Sequence, residues 1–262
     1  MRDFYHPSEP VPLDQADGLR RMFAGRAQCM LALVSNPFVA FPGLVIERLA
    51  AAAATLGRHM LVVDAAESAD AAPTMARVDL ASCIERLTPD LSYLGARGLP
   101  LAYVDTRGTA GAFLDAIGNA APHADIVLVH AAPAELARLF ARRAARPILV
   151  AADHPEGIKH AYAALKLLAQ RASLLTFDLL VVAGAGSPRI DHIAASLGSC
   201  AERFLGGLLR EWTHVDPAED PMQPVDDKLL HLLSRQLELD STFAPPAAVP
   251  PARPRAALAA AV

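Results

Sequence analysis

The sequence predicts an α/β fold: a doubly wound, mainly parallel sheet with helices on both faces. Three observations carry that expectation. Short, unbroken apolar runs rich in Val, Leu and Ile recur along the chain, helical stretches separate them, and several of the runs end in a polar residue just before the chain turns. Strands covered on both faces read as continuous apolar runs, and a helix between successive strands supplies the right-handed crossover that parallel pairing needs.

In chain order, residues 1–12 contain Pro7, Pro10 and Pro12 and read as an extended arm, because proline offers no N–H and biases its predecessor away from the helical region. Residues 13–26 read as a short helix, with Asp14 as N-cap, Leu19, Met22 and Phe23 on one face and Gly25 at its end. Gly18 in its interior costs roughly 1 kcal/mol relative to alanine, so the helix is marginal alone and suits a segment that orders on a partner. The body, residues 27–240, has strands expected at 29–35, 59–65, 91–96, 125–131, 147–153 and 177–184. Helices are expected at 43–56, 108–120, 134–144, 156–171, 189–198 and 199–212. A proline-rich acidic connection leads to an amphipathic helix at 228–239, whose face of Leu229, Leu230, Leu232, Leu233, Leu237 and Leu239 is suited to packing on the domain or on another subunit. Residues 241–262 form a proline and alanine tail with a composition that favours disorder.

Composition excludes several function classes. The 262-residue chain carries 24 Lys+Arg against 28 Asp+Glu, a net charge of −4 spread along its length, which gives no electrostatic footprint for nucleic acid. Hydrophobic residues reach 53%, yet no run approaches the ~18–20 apolar residues that span a bilayer. The N-terminus lacks the basic and apolar regions of a signal peptide, and Cys29, Cys83 and Cys200 are widely spaced, as expected of reduced, mostly buried thiols in a cytoplasmic protein. Met22, Met30, Met60 and Met75 read as core filler.

The stretch from Leu31 to Glu67 reads strand, loop, helix, strand, the order with which nucleotide-binding α/β proteins open their fold around a glycine-rich turn. Here the loop is Ser35-Asn36-Pro37-Phe38-Val39-Ala40-Phe41-Pro42-Gly43, with one glycine and no lysine. Three pieces of the chain carry a resemblance to the MinD/ParA branch of the phosphate-loop ATPases, and within it to the FlhG-like flagellar regulators. Asp14, Gln15, Ala16, Leu19 and Arg20 match the Asp-Gln-Ala segment and following Leu-Arg with which FlhG proteins begin. The opening strand, Leu-Ala-rich helix and Asp-ended strand match the second piece, and "PEGIKHAYAALKLL" at 155–168 matches the third.

The resemblance implies an ATPase, but the departures fall on its catalytic residues. The family's Walker A pattern Lys-Gly-Gly-x-Gly-Lys-Thr becomes Pro37, Phe38, Val39, Ala40, Phe41, Pro42 and Gly43. Glycines there turn successive N–H groups toward phosphate and lysines neutralise it. In this chain two prolines remove donors, Phe38 and Phe41 are expected to fill the space, and no cation remains. Asp64 survives, but the family's next aspartate is Ala66, its magnesium-side aspartate is His130, and its adenine-reading asparagine falls on Val182 or Ala183. The expectation is a pseudo-ATPase with neither ATP nor magnesium as cofactor and no metal site.

For function, the resemblance implies a non-catalytic regulator of flagellar number or placement that acts through Asp14–Arg20 on an FlhF-like GTPase, where Gln15 would orient the attacking water. It also implies a homodimer, or a heterodimer with an intact relative. The family's basic, membrane-targeting terminal helix is poorly matched by the acidic residues around 226–240, so any membrane or polar recruitment is expected to be weak or through a partner. Two alternatives stand beside this reading: a MinD-like protein of another system, such as cellulose secretion or polar positioning, and a domain that binds nucleotide or a new ligand at the strand ends. Asp64 and His130 are the candidates for that ligand site, with Asp153 and His154 also at strand ends; His123, His160 and His192 read as ordinary histidines. "GAGSPR" at 184–189 reads as a strand-to-helix turn.

Overall fold

In this computed structural model, residues 28–243 are described, apart from Ala185 and Pro221. The arm at 1–12, the helix expected at 13–26 with Asp14, Gln15, Ala16, Leu19 and Arg20, and the tail beyond residue 243 lie outside the described residues. The chain runs β1 (Cys29–Val34), α1 (Pro42–Thr55), β2 (Met60–Asp64), β3 (Glu85–Thr88), β4 (Leu91–Gly95), α2 (Gly111–Ala120), β5 (Ile126–Ala131) and α3 (Pro133–Leu139). It continues through β6 (Ile148–Ala152), α4 (Pro155–Ala172), β7 (Thr176–Val182), α5 (Ile190–Leu205), β8 (Leu208–Val215) and α6 (Asp227–Phe243).

The strands form one eight-stranded sheet in the order β3-β4-β2-β5-β1-β6-β7-β8. Every pairing is parallel except β3 with β4. β1 sits where the strand order changes direction, and in doubly wound sheets that point opens a crevice at the carboxyl ends of the strands. Alternation along β1 divides the core: Leu31 and Leu33 face a layer with Leu49 of α1 and Leu229, Leu232 and Leu233 of α6. Ala32 and Val34 face the opposite layer with Phe113 of α2, Leu136 of α3, Leu165 of α4 and Ile193 of α5.

The six strands expected from sequence are present to within two residues at each end. Two strands were not expected. β3 is a short, fully exposed polar hairpin arm with an irregularity between Arg86 and Thr88, so it carries no apolar signal. β8 takes the second part of the helix expected at 199–212. The first part of that helix continues the one expected at 189–198 as a single helix, α5, which Gly206 ends at φ 62°, a left-handed conformation that glycine adopts without penalty. The chain then pairs with β7, because Leu208–Val215 completes the sheet there. α3 also stops short of residue 144: Phe140 plugs into the core and turns the chain, overriding the helix propensity of the Ala- and Arg-rich residues after it.

At the other end of the chain, α6 runs to Phe243, past the start expected for the tail. Met60 is buried and Met30 partly so, but Met75 is exposed in a 3-10 turn, which corrects its reading as core filler. Of the cysteines, none of which forms a disulfide, Cys29 is buried while Cys83 and Cys200 are half-buried. No helix among the described residues is long and apolar enough to cross a membrane.

Two buried polar nodes fasten α6 and the connection before it. Arg48 of α1 donates to the Gln223 and Pro224 carbonyls and to Glu219. Gln236 of α6 donates from Nε2 to the Arg146 carbonyl at 2.9 Å and to Asp178 Oδ2 at 2.7 Å, while the Glu211 N–H donates to Asp178 Oδ1 at 3.1 Å. Burial pushes the Asp178 carboxyl up from its usual 3.8 to about 6, outweighing the Arg146 guanidinium beside it.

A folded-state pKa above the unfolded one means that the folded chain holds a proton the unfolded chain has released. The associated stability is full at the acid end and is lost as pH rises through about 6. Between pH 5 and 8 the wild type should therefore lose about 1–2 kcal/mol relative to Asp178→Asn. Urea unfolding of both proteins across that range checks this, and a pH-independent difference would refute it.

Candidate functional site

β1 delivers the chain into the loop at the fold's switch point, and Asn36 fixes its path. Asn36 is only 4% exposed. Its Nδ2 donates to the Val150 carbonyl of β6 at 2.8 Å and to the Gly157 carbonyl in the first turn of α4 at 2.9 Å. Its Oδ1 accepts the Phe38 N–H at 3.1 Å and its own carbonyl accepts the Val39 N–H at 3.0 Å. One short amide side chain thus closes the turn and ties it to two neighbouring elements, the local bonding that Asn favours in turns.

His154 reinforces that tie from α4. It caps the helix, accepting the Gly157 N–H at Nδ1 (3.3 Å), and faces the Phe38 carbonyl with Nε2 at 2.8 Å. Only a neutral imidazole with its hydrogen on Nε2 satisfies both contacts. Gly157 lets α4 start close against β6, since a Cβ there would lie 2.9 Å from Ala152 Cβ. The Phe38 ring meets His160 edge-on at 5.9 Å between centroids, and burial holds His160 below its usual pKa, favouring the neutral ring.

Contrary to the expectation from sequence, the phenylalanines do not both fill the space at the loop. Phe38 is 45% exposed and Phe41 70%, whereas Val39 is buried in the core layer beneath α1. Phe41 occupies the N-cap of α1 with φ 67° and no side-chain cap, and Pro42 takes the first helical turn. A left-handed conformation costs an L-residue roughly 1–2 kcal/mol and costs glycine nothing, so this backbone position suits a glycine that the sequence does not supply. Pro37 and Pro42 have no N–H, and the N–H groups of Phe38 and Val39 are taken by Asn36. Ala40 and Gly43 complete the loop, and no lysine or arginine stands between Ser35 and Gly43.

On the β5 side of β1, the sheet register places Asp64 of β2 beside His130 of β5. His130 Nδ1 lies 2.9 Å from Asp64 Oδ1, which also accepts the Ala66 N–H at 3.1 Å. Both side chains are largely buried. The carboxylate holds the imidazole proton on Nδ1 and leaves Nε2 as the basic nitrogen, an orientation that suits a general base or a metal-ligating histidine. Tyr93 on β4 has its phenol pushed above the usual range, by burial first and then by Asp64, Asp70 and Glu85.

The other strand-end candidates are engaged elsewhere. His154 is committed to the loop, and Asp153 accepts the Ser187 hydroxyl, with Arg189 nearby at 3.8 Å. Ser187 belongs to the turn expected at 184–189, which leads into α5. Val182 and Ala183 are buried apolar residues at the end of β7. His192 faces Ser196 along α5. Among the described residues, no group of three or more His, Cys, Asp or Glu is placed to hold a metal ion.

No family model matches the sequence, and no curated protein matches it. Solved structures do. MinD of Aquifex aeolicus, a cell division protein, superposes with a TM-score of 0.52 at 12% identity, over 83% of this chain and 98% of its own. A plasmid partition protein of Borrelia burgdorferi gives 0.56 at 10% identity, over 80% and 99%. An McdA of Cyanothece in complex with ATP gives 0.52 at 16%, over 83% and 96%. The chain has the MinD/ParA fold. At these identities the likeness carries the architecture and not the chemistry, which rests on the residues of the loop and the strand ends.

Sequence reading singled out the loop but not the residue that organises it. Asn36 differs from any other loop Asn only through its long-range partners, Val150 and Gly157, which no local pattern announces. Asn36→Ala removes both long-range bonds and the bond that closes the turn on Phe38, and should cost about 2–4 kcal/mol. Phe41→Gly relieves the left-handed strain and should stabilise by up to about 1 kcal/mol. Guanidinium unfolding of the two variants measures both, and the opposite ranking would show that Asn36 is not what holds the loop.

Proposed function

We propose that this chain is a non-catalytic regulator built on the MinD/ParA ATPase fold, an FlhG-like pseudo-ATPase that acts through its Asp14–Arg20 segment on an FlhF-like GTPase. The observation that carries the first half is the Asn36-stapled loop: at the place where the fold's ATPases bind phosphate, four of the seven positions from Pro37 to Gly43 offer no free N–H, two being proline and two bonded to Asn36, and no cation is present. These residues do not fit a magnesium nucleotide, which needs inward-facing N–H groups and positive charge. The second half rests on the motif match of Asp14, Gln15, Ala16, Leu19 and Arg20, with Gln15 as the residue that would orient the partner's attacking water.

On this reading the protein works without a nucleotide cycle of its own, as a homodimer or beside an intact family member. The exposed rings of Phe38 and Phe41 at the switch point support a face that meets another protein. α6 buries Leu229, Leu232 and Leu233 against the sheet, which supports a cytoplasmic protein recruited to a pole or membrane through its partner. A fluorescent ATP analogue titrated with magnesium should show no saturable binding. Adding the protein to an FlhF-like GTPase should change GTP turnover at least several-fold, an effect lost in Gln15→Ala; unchanged turnover would refute the regulatory role.

A second reading is favoured by the Asp64–His130 pair, whose oriented imidazole suits a ligand at the strand ends. Thermal unfolding with nucleotides and divalent metals separates the two, since stabilisation that disappears in His130→Ala supports this second reading against the first. The fold is equally compatible with a MinD-like role in another system, such as cellulose secretion or polar positioning, and the genes beside this one discriminate between that role and a flagellar one.

A further inference from the structure

β8 is the last strand of the sheet, with α6 packed on one of its faces and α5 on the other. Between β8 and α5 runs an open groove of about 450 Å³. β8 lines it with Leu208 and with Trp212, the chain's single tryptophan, which is only partly buried. α5 lines it with Asp191 and Glu202, three turns apart, and the small side chains of Ala195 and Gly198 between them leave the space beside the indole open.

Asp191 and Glu202 are exposed, and among the described residues neither enters an ion pair. The cations nearby are committed to the other wall or turned away. Arg210 lines the β8 side, Lys228 of α6 lies 5.7 Å from the centre of the Trp212 ring, and Arg203 is turned onto the Phe204 ring. The α5 wall is therefore acidic and the β8 wall aromatic and apolar. A groove of that kind fits an extended, proline-rich segment that carries arginine. The polyproline helix exists before it binds, so docking orders little, and its arginine meets the acids.

This chain contains such a segment. Residues 244–255 hold five prolines, Arg253 and Arg255, and no acidic residue. They follow α6, whose Gln236 already stands at the amino-terminal edge of the sheet on the Arg146 carbonyl, so Phe243 lies about 10 Å further along the helix axis. From there the ten residues to Arg253 reach about 31 Å in polyproline form, enough to pass round the one strand that separates α6 from α5. Exposed apolar side chains stand at that end of the sheet: Phe204 near the end of α5, Leu175 ahead of β7, and Leu208, whose N–H donates to the Leu175 carbonyl at 2.7 Å.

We propose that residues 244–255 dock as an extended polyproline chain in the groove between α5 and β8, with prolines against Leu208 and Trp212 and an arginine on Glu202. The direct tether to α6 keeps the segment at a high effective concentration, so individually weak contacts suffice. The docking uses neither the loop after β1 nor the Asp14–Arg20 segment, and its test is separate from that of the proposed regulatory role.

As the single tryptophan, Trp212 reports on the groove, and acrylamide quenching of its emission is measured in the full chain. Glu202→Arg should raise the quenching constant at least twofold, and so should Arg253→Glu with Arg255→Glu. All three substitutions together should return it to the wild-type value, because the reversed charges attract again. Glu202 is exposed, so its replacement leaves the core intact. Equal quenching in all four proteins, or effects that add instead of cancelling, overturns the proposal. A wild-type quenching constant that falls as protein concentration rises also overturns it, since a second copy then fills the groove.

Discussion

The paired donation from the Asn36 amide to Val150 and Gly157 is the constraint on which the geometry of the carboxyl edge depends. It joins the end of β1 to β6 and to the first turn of α4, the three elements that meet where the strand order reverses. The bonds are buried, so they act in a low-dielectric setting where a lost partner is not replaced by water. With Asn36 in place, His154 meets Phe38 and the first turn of α4 is capped from within. The loop's conformation thus follows from side chains of this chain and needs no bound phosphate to define it.

That self-sufficiency matters for how the fold can be used. A phosphate loop presents N–H groups that remain unpaired until an anion arrives, and ligand binding then contributes to stability by mass action. Here the corresponding donors are absent at Pro37 and Pro42 and already bonded at Phe38 and Val39, which leaves only Ala40, Phe41 and Gly43 to offer an N–H. An anion entering this turn would find fewer donors than a glycine-rich loop offers and no cation beside them. The backbone of Phe41 nevertheless takes a left-handed conformation that suits glycine, so the turn has the backbone shape of a glycine-rich one without its residues.

Much of the fold was legible because its signal is local. The apolar runs that became β1, β2, β4, β5, β6 and β7 are continuous, as strands covered on both faces must be. The strands that were missed lacked that signal. Glu85–Thr88 is polar and exposed, and Leu208–Val215 follows a helix whose end is set by one glycine, in a segment where Leu, Arg, Glu and Trp fit either structure. At the site, the loop's single glycine and lack of lysine could be read residue by residue. The Asp64–His130 contact was anticipated only as two strand ends on one edge, since the register that sets them side by side belongs to the sheet and not to either strand. Asn36 and Arg146 were invisible as organising residues for the same reason: their partners lie more than a hundred residues away in sequence for Asn36 and more than thirty for Arg146.

The two edges of the sheet therefore differ in the kind of work their charges can do. At the carboxyl edge, cations are missing from the loop, the polar groups are paired with one another, and the exposed atoms of Phe38 and Phe41 are apolar. An edge of that kind favours contact with protein over capture of a charged nucleotide, because desolvating rings is favourable while desolvating an unpaired triphosphate is not. At the amino-terminal edge, the buried Arg146 guanidinium is ion-paired with the buried Asp178, beside the joint through which Gln236 fastens the last helix. One edge thus neutralises its charge inside the core, and the other offers rings rather than charge to whatever meets it.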